Sequence, residues 1–450
     1  MSQNLAHYTD IAEHLLKRAK QIQADHVEVH IQGGQAARMS ARQGAFETLE
    51  FETTAHLSLT VYKDQAQGVA STNVLQPQAL EDCVEQALAI ARYSEKEAFL
   101  GLAPKADMAF EYQDPGIDFS ESLPNLDTMR DIALELDDLS QMVSTKQIGD
   151  VRSEGSDIST HQGFQVYGNS HGMIGSYSGS SALCSIGVLG QNAQGMEQAY
   201  WFDRVRNWSD MPSIELFQSQ AIERVHRKLS AKPLGSQKTQ VIFSPDIAKR
   251  LFSPLFGALS GRSQYLKNGF LVESLGQSIL PDWLTISHDP LISGGLYSLP
   301  FDADGVRTRP LTLIQSGVVE QYVLGDYSAR RLGMTVNGCA SGLRNVRLAH
   351  TTVSLDTMLK DAGKGIYITE LMGQGVNTMT GDMSQAAAGI WFENGQFKHG
   401  VKNFTLAGNL KDLYANMLGI ADDTDTRGNL HCGSLWVGPM TLAGMTGELE

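Results

Sequence analysis

Residues 151–191 read VRSEGSDISTHQGFQVYGNSHGMIGSYSGSSALCSIGVLGQ. Apolar residues alternate with Ser, Gly and polar ones, so successive side chains fall on opposite faces of an extended chain. That pattern, punctuated by glycine, predicts an antiparallel meander. Inside it, Gly168–Gly172 (GNSHG) fits G-x-S-x-G. A nucleophile elbow needs a strand, a strained turn and then a helix. The strand is present as FQVY, but MIGSYSGSSALCS is a poor helix and a good strand. The favoured reading of GNSHG is a hairpin turn, with a serine hydrolase using Ser170 as the alternative.

Outward from the meander, the rest of the chain mixes helices with short strands. Ile11, Leu15, Leu16, Ala19 and Ile22 recur at helical spacing over residues 5–22. DHVEVHIQ alternates with period two, and ARMSARQG, FETLEFET, HLSLTVYKDQ and QGVASTNV read as further short strands, the last two forming a hairpin. QALEDCVEQALAIARY is a helix with Leu80, Val84, Ala87, Leu88 and Ala91 on one stripe. Residues 1–95 therefore form an N-terminal α+β domain. Residues 96–234 hold a Pro-containing linker, a helix over NLDTMRDIALELDDLSQMV, the meander, and a helix over PSIELFQSQAIERVHRKLSA. Residues 235–450 form a β-rich C-terminal domain, with hairpins turned at Ser316-Gly317 and Asn394-Gly395. The βαβ rhythm of a doubly wound sheet is missing, so the fold class is multi-domain α+β.

Of the 450 residues, 35 are Lys or Arg and 50 are Asp or Glu, giving a net charge of −15. That balance argues against nucleic acid as a partner. Four widely spaced cysteines give no disulfide framework or zinc ribbon and suit a reducing compartment. There is no signal-peptide-like start and no apolar run long enough to span a bilayer, which predicts a cytoplasmic protein without a membrane partner.

Four further motifs carry possible chemistry. His26, Glu28 and His30 share one strand face, a spacing open to zinc but equally that of any half-exposed strand. Asp302 and Asp304 precede Gly305 like the opening of a calcium loop, yet the closing ligands are absent and an Asx-type turn is the better reading. TELMGQGVNTMTGDMSQAAAG is glycine-rich without the G-K-[ST] of a P-loop, and suits close backbone approach. His431–Cys432 pairs two metal-ligand types, but adjacent side chains on a strand point apart.

VYGNSHGM, SLGQSILPDWLTI, PFDADGVRT, YSARRLGM, TELMGQGV, GDMSQAAAGIWFENG, LAGNLKD and HCGSLWVGPMTLAG, in that order, resemble the PmbA (TldE) branch of the TldD/PmbA metalloprotease family over nearly the whole chain. The resemblance implies a cytoplasmic peptidase system acting on peptides, including precursor-peptide maturation. In the TldD branch an H-E-x-x-x-H motif and a distant cysteine hold zinc. Here Ser244, Pro245 and Lys249 stand at the motif's His, Glu and His positions, and Cys432 matches the cysteine. One thiolate cannot make a zinc site. The resemblance therefore implies no catalytic residue and no zinc in this chain, with Cys432 at most a vestigial ligand position. Zinc is expected in a TldD-like partner, and a homodimer is open to the isolated chain. Gly373, Gln374 and Gly375 are the candidate peptide- or partner-binding residues. A non-enzymatic peptide-binding module is the other alternative.

Overall fold

In the computed structural model, which describes residues 2–140, 150–193, 195–373 and 375–444, the opening stretch forms two long strands of one six-stranded antiparallel sheet. The strands are β1 (His26–Arg42), β2 (Ala45–Lys63), β3 (Ala66–Thr72), β4 (Asp150–Asn169), β5 (Ile174–Asn192) and β6 (Gly195–Val205). Their order is β3-β2-β1-β4-β5-β6. The sheet runs unbroken from the N-terminal segment into the middle one through the β1–β4 pairing, from Glu28↔Asn169 to Ala41↔Ser156.

The short strands expected at the N-terminus are fused. DHVEVHIQ and ARMSARQG belong to the single 17-residue β1, and FETLEFET and HLSLTVYKDQ to the 19-residue β2. Gly33 and Gly34 do not break β1, because they are where its neighbours close in. A Cβ at Gly33 would stand 2.2 Å from the Thr54 carbonyl oxygen, and one at Gly34 2.2 Å from that of Gln162. The expected β2–β3 hairpin turns at Asp64 and Gln65, both with positive φ.

Helices α1 (Ser2–Gln21) and α2 (Pro77–Tyr93) cover one end of the sheet, burying Leu15 and Val84 against Val27, Val29, Ile31, Leu57 and Leu59. Helix α3 (Leu126–Asp137) and the helix Ile214–Leu229 bury Met129, Phe217 and Val225 against Met39, Ile158 and Ile186 farther along. The remainder of the helix expected beyond Ser140 lies outside the described residues. Val27, Val29, Ile31, Ala37 and Met39 all have odd numbers, so the helices cover one face of β1. The even-numbered face of β1 carries Glu28 and His30.

In the C-terminal segment, strands Gln237–Phe243, Lys364–Met372, Asp382–Glu393, Gln396–Asn409 and Leu435–Gly444 form the centre of a second sheet. Phe404–Leu406 also pair with Leu442–Gly444, so these five strands close on themselves. The first two run parallel, and the turn at Asn394-Gly395 joins the third and fourth as expected. The turn at Ser316-Gly317 forms too, but its second strand is only Val318–Val319. The helix Pro245–Ala258 packs Leu251, Phe252 and Leu255 into the core beside this sheet.

The bare face of β1 meets the C-terminal segment through a buried polar cluster. Tyr62 donates to Glu28 at 2.8 Å, and the Tyr167 hydroxyl lies 3.3 Å from Glu28 and 3.1 Å from the Asp304 carbonyl oxygen. Asp302 accepts from the backbone of Asp304, Val306 and Ala340, as an Asx-type turn requires. Gly305 closes that turn at φ +70°, and a Cβ there would stand 2.2 Å from the Tyr167 ring. Burial pushes Glu28 and Asp302 up to about 7 and Asp326 up to about 6, each reinforced by neighbouring carboxylates.

These acids titrate near 4 in an unfolded chain, so the folded state favours their protonated forms. Their contribution to stability is complete below about pH 4 and is lost as pH rises through 6 to 7. Buried His30 and His288, held down to about 4, work in the opposite direction over the same range. The thermal unfolding midpoint of the wild type relative to Glu28→Gln should therefore fall between about pH 5 and pH 8, and a pH-independent difference in calorimetry would refute the assignment.

Candidate functional site

A cleft of about 620 Å³ opens between β6, the helix Ile214–Leu229 and the closed C-terminal sheet. Strand Gln237–Phe243 delivers Ser244 to its wall. Pro245, whose fixed φ suits a first helical position, then starts the next helix. The Ser244 hydroxyl donates to Asp246 at 2.6 Å. Strand Lys364–Met372 contributes Tyr367, Glu370 and Met372, and the acid-rich loop at 421–427 contributes Asp423, Asp425 and Arg427.

The walls are charged but balanced. Arg224 pairs with Asp246 at 3.2 Å, Lys228 with Glu370 at 2.6 Å and Lys402 with Glu197 at 2.7 Å. Trp201 sits between two guanidiniums, with Arg427 at 3.8 Å and Arg224 at 4.6 Å from its ring. These contacts are cation–π in kind and hold both arginines against the wall.

Behind the cleft wall, Lys249 reaches Asp425 at 2.9 Å, with both side chains largely buried. Arg427 grips the same carboxylate with two guanidinium hydrogen bonds of 3.0 Å and donates a third bond from its backbone at 2.9 Å. Burial works to raise the Asp425 pKa, but the bonds from Arg427 and the charge of Lys249 win and hold it down at about 2. Burial lowers Lys249, partly offset by Asp425. Asp425 also pairs backbone to backbone with Cys432, accepting at 3.4 Å and donating at 3.0 Å. Lys249, which the sequence resemblance sets at the motif's second histidine, is thus engaged in an ion pair with a residue that pairs with Cys432.

These residues do not fit a zinc ion. Pro245 offers no side-chain donor, and an ammonium has no free lone pair. The Cys432 thiol is 1% exposed, and burial raises its pKa, so it stays protonated and donates to the Gly433 carbonyl at 3.2 Å. His431 is half-buried, with its pKa lowered by burial and by Lys249. No group of three or more His, Cys, Asp or Glu among the described residues is placed to hold a metal.

The other residues singled out from sequence lie elsewhere. Ser170 is in the β4–β5 turn, where its hydroxyl accepts from the Val27 amide at 3.2 Å and its amide donates to the Val27 carbonyl at 2.9 Å. A strand follows the turn, so the strand–turn–helix of a nucleophile elbow is not formed. His26, Glu28 and His30 share a face of β1, but Glu28 is engaged by tyrosines, and burial holds His30 neutral, down to about 4. Gly373 follows Met372 at the cleft rim, exposed at φ +80°, and its carbonyl accepts from Gln385 at 2.9 Å. Gly375 approaches Ser384 so closely that a Cβ would stand 2.0 Å from its carbonyl oxygen. Gln374 lies outside the described residues. Sequence reasoning passed over Trp201, Asp425 and Arg427, although the density of aspartates in ADDTDTR beside Cys432 was a usable signal.

Comparison with known proteins agrees with this architecture. Residues 27–91, 115–229 and 236–444 match, in turn, domain 1, the central domain and the C-terminal domain of the PmbA/TldA metallopeptidases. The chain is 38% identical to the metalloprotease PmbA of Escherichia coli O157:H7, over 94% of its own length and 93% of that protein's. It is 35% identical to a PmbA homolog of Haemophilus influenzae, covering 90% and 89%. Its fold is shared with TldE from Thermococcus kodakarensis, at a TM-score of 0.85 and 19% identity over 96% and 100% of the two chains. A Bacteroides thetaiotaomicron protein described as a candidate modulator of DNA gyrase gives 0.89 and 23%, over 97% and 98%. With three domains matched in order and this identity across nearly its full length, the chain belongs to the PmbA branch of the PmbA/TldD metallopeptidase family.

Proposed function

We propose that this chain is the zinc-free, TldE-type component of a cytoplasmic two-subunit metalloprotease, in which a TldD-like subunit holds the catalytic zinc and the pair acts on peptides. Maturation of precursor peptides and degradation of unfolded ones are the reactions this reading assigns to the pair. The observation that supports it is the Lys249–Asp425–Arg427 network, in which the lysine that the resemblance sets at the motif's second histidine is held in an internal ion pair. A buried carboxylate already neutralised by two cations has no remaining demand for a metal. A hydrolase centred on Ser170 is not favoured, because that hydroxyl is bonded to the Val27 backbone within a hairpin turn.

Two surfaces support the roles of peptide and partner. The cleft is of a size that takes a peptide segment, and Met372 and Gly373 lead from its wall to an exposed rim. We assign Gly373 and Gly375 to that rim as backbone that an extended peptide or the partner can approach. The second surface is β2, which pairs with β3 only over Leu57–Lys63. Its first half is paired only with β1 among the described strands and exposes Phe46, Leu49 and Phe51. A long apolar edge invites pairing with another chain. We assign it to the TldD-like subunit, and to self-association when the chain is alone.

The purified chain should contain no stoichiometric zinc by elemental analysis and cleave no unstructured peptide. Adding the TldD-like subunit should bring cleavage, and Ser170→Ala should leave it intact. One zinc per chain, or cleavage by the chain alone, would sink the proposal. Phe51→Lys should weaken association with the subunit by about tenfold or more in sedimentation or calorimetry, without altering far-ultraviolet circular dichroism. An unchanged affinity would move the interface elsewhere.

A further inference from the structure

A second cavity, of about 540 Å³, lies between the first sheet and the loops at 296–299 and 344. Arg204, Arg206, Arg344, His161, Tyr177 and Tyr297 line it, and no Asp or Glu does. In a chain of net charge −15 that is a local reversal of sign. The contrast with the first cleft is direct, because there Arg224, Lys228, Lys402 and Arg427 in the wall each sit on a carboxylate. Here none of the three guanidiniums forms a side-chain ion pair among the described residues.

Their own contacts are neutral. Arg206 donates to the carbonyl oxygens of Ser180 at 2.9 Å, Leu296 at 2.6 Å and Gly295 at 3.2 Å, which orient the side chain without cancelling its charge. The acid that acts on it electrostatically, Asp118, accepts hydrogen bonds from Ser178 and the Ser120 amide. Arg344 donates one Nη to the Ser341 carbonyl at 2.7 Å, while its Nε is buried with no hydrogen-bond partner among the described residues. A buried N–H without an acceptor is costly, and it leaves the Arg344 guanidinium incompletely satisfied beside the cavity. Burial and the nearby Arg204 and Arg206 lower the His161 pKa, keeping it a neutral hydrogen-bonding group at pH 7. The backbone leaves room for both side chains. A Cβ at Gly179 would stand 2.9 Å from Arg206 Nη1, and one at Gly163 would stand 2.6 Å from the His161 ring.

We propose that this pocket binds an oxyanion carried on a small organic body, its carboxylate or phosphate meeting Arg344, Arg204 and Arg206 and its body resting on Tyr177 and Tyr297. Guanidinium forks match carboxylate and phosphate oxygens in pairs, and the volume exceeds what a bare inorganic ion fills. The two sources of that chemistry are the acidic end of a peptide and a free phosphorylated small molecule.

The full-length chain should be titrated calorimetrically with four probes: an N-acetylated dipeptide acid, its C-terminal amide, glycerol 3-phosphate and inorganic phosphate. Binding of the dipeptide acid but not the amide supports the proposal with a peptide source. Binding of glycerol 3-phosphate alone supports it with a small-molecule source. In either case Arg344→Gln and, independently, the exposed Arg204→Gln should each weaken binding by about tenfold, and added salt should weaken it further. The Arg204 variant guards against a fold defect at Arg344. Equal binding of acid and amide, binding of inorganic phosphate alone, no binding by any probe, or wild-type affinity in both variants would overturn the proposal. The assay uses no TldD-like subunit, so its failure is separate from failure of the proposed protease role.

Discussion

The antiparallel pairing of β1 with β4 is the constraint on which the remaining structure depends. It joins strands separated by more than a hundred residues into one sheet with a single helix-covered face. Once Val27, Val29, Ile31 and Met39 turn to the helices, strict two-residue periodicity sends Glu28 and His30 to the other face. A one-residue slip would bury the charged set and expose the apolar one. The C-terminal segment then docks against that polar face through Tyr62, Tyr167, Glu28 and the Asp302–Gly305 turn. Both cavities are by-products of this arrangement, since each uses strands of the first sheet as one wall and C-terminal elements as the other.

Much of this was legible in the sequence because it rests on local periodicity and turn chemistry. The stripe on α2 predicted Leu80, Val84, Ala87, Leu88 and Ala91, and all five are buried. The turns at Ser316-Gly317 and Asn394-Gly395 formed where a two-residue turn with positive φ was expected. Strand length was not legible. Gly33-Gly34 and Thr53-Thr54 look like breaks in isolation, and only the neighbouring backbones show that β1 and β2 continue through them. The ion pair between Lys249 and Asp425 was illegible for a similar reason. The two residues are far apart in sequence, and the lysine's partner is decided by where the helix Pro245–Ala258 meets a distant loop.

The surroundings of Cys432 explain why its sulfur stays a thiol. A thiol becomes a ligand or nucleophile when nearby positive charge stabilises its thiolate. Lys249 is close enough to push in that direction, but it is already spent on Asp425. Burial together with Asp423 and Asp425 pushes the other way and prevails. The sulfur is left as a weak donor to the Gly433 carbonyl in packed surroundings.

The two cavities show that net charge and local charge answer different questions. A surplus of acids limits non-specific attraction to polyanions over the whole surface. It does not prevent three arginines from gathering in one pocket whose lining holds no carboxylate. Arg206 is fixed by backbone carbonyls, and Asp118, the acid acting on it, is held by serines. The positive charge is therefore confined to a pocket and does not spread along a groove. A pocket of that size suits one oxyanion, whereas nucleic acid needs a continuous row of cations to displace its counterions. The same confinement sets the pocket apart within an acidic protein, because its lining gathers three arginines and no carboxylate.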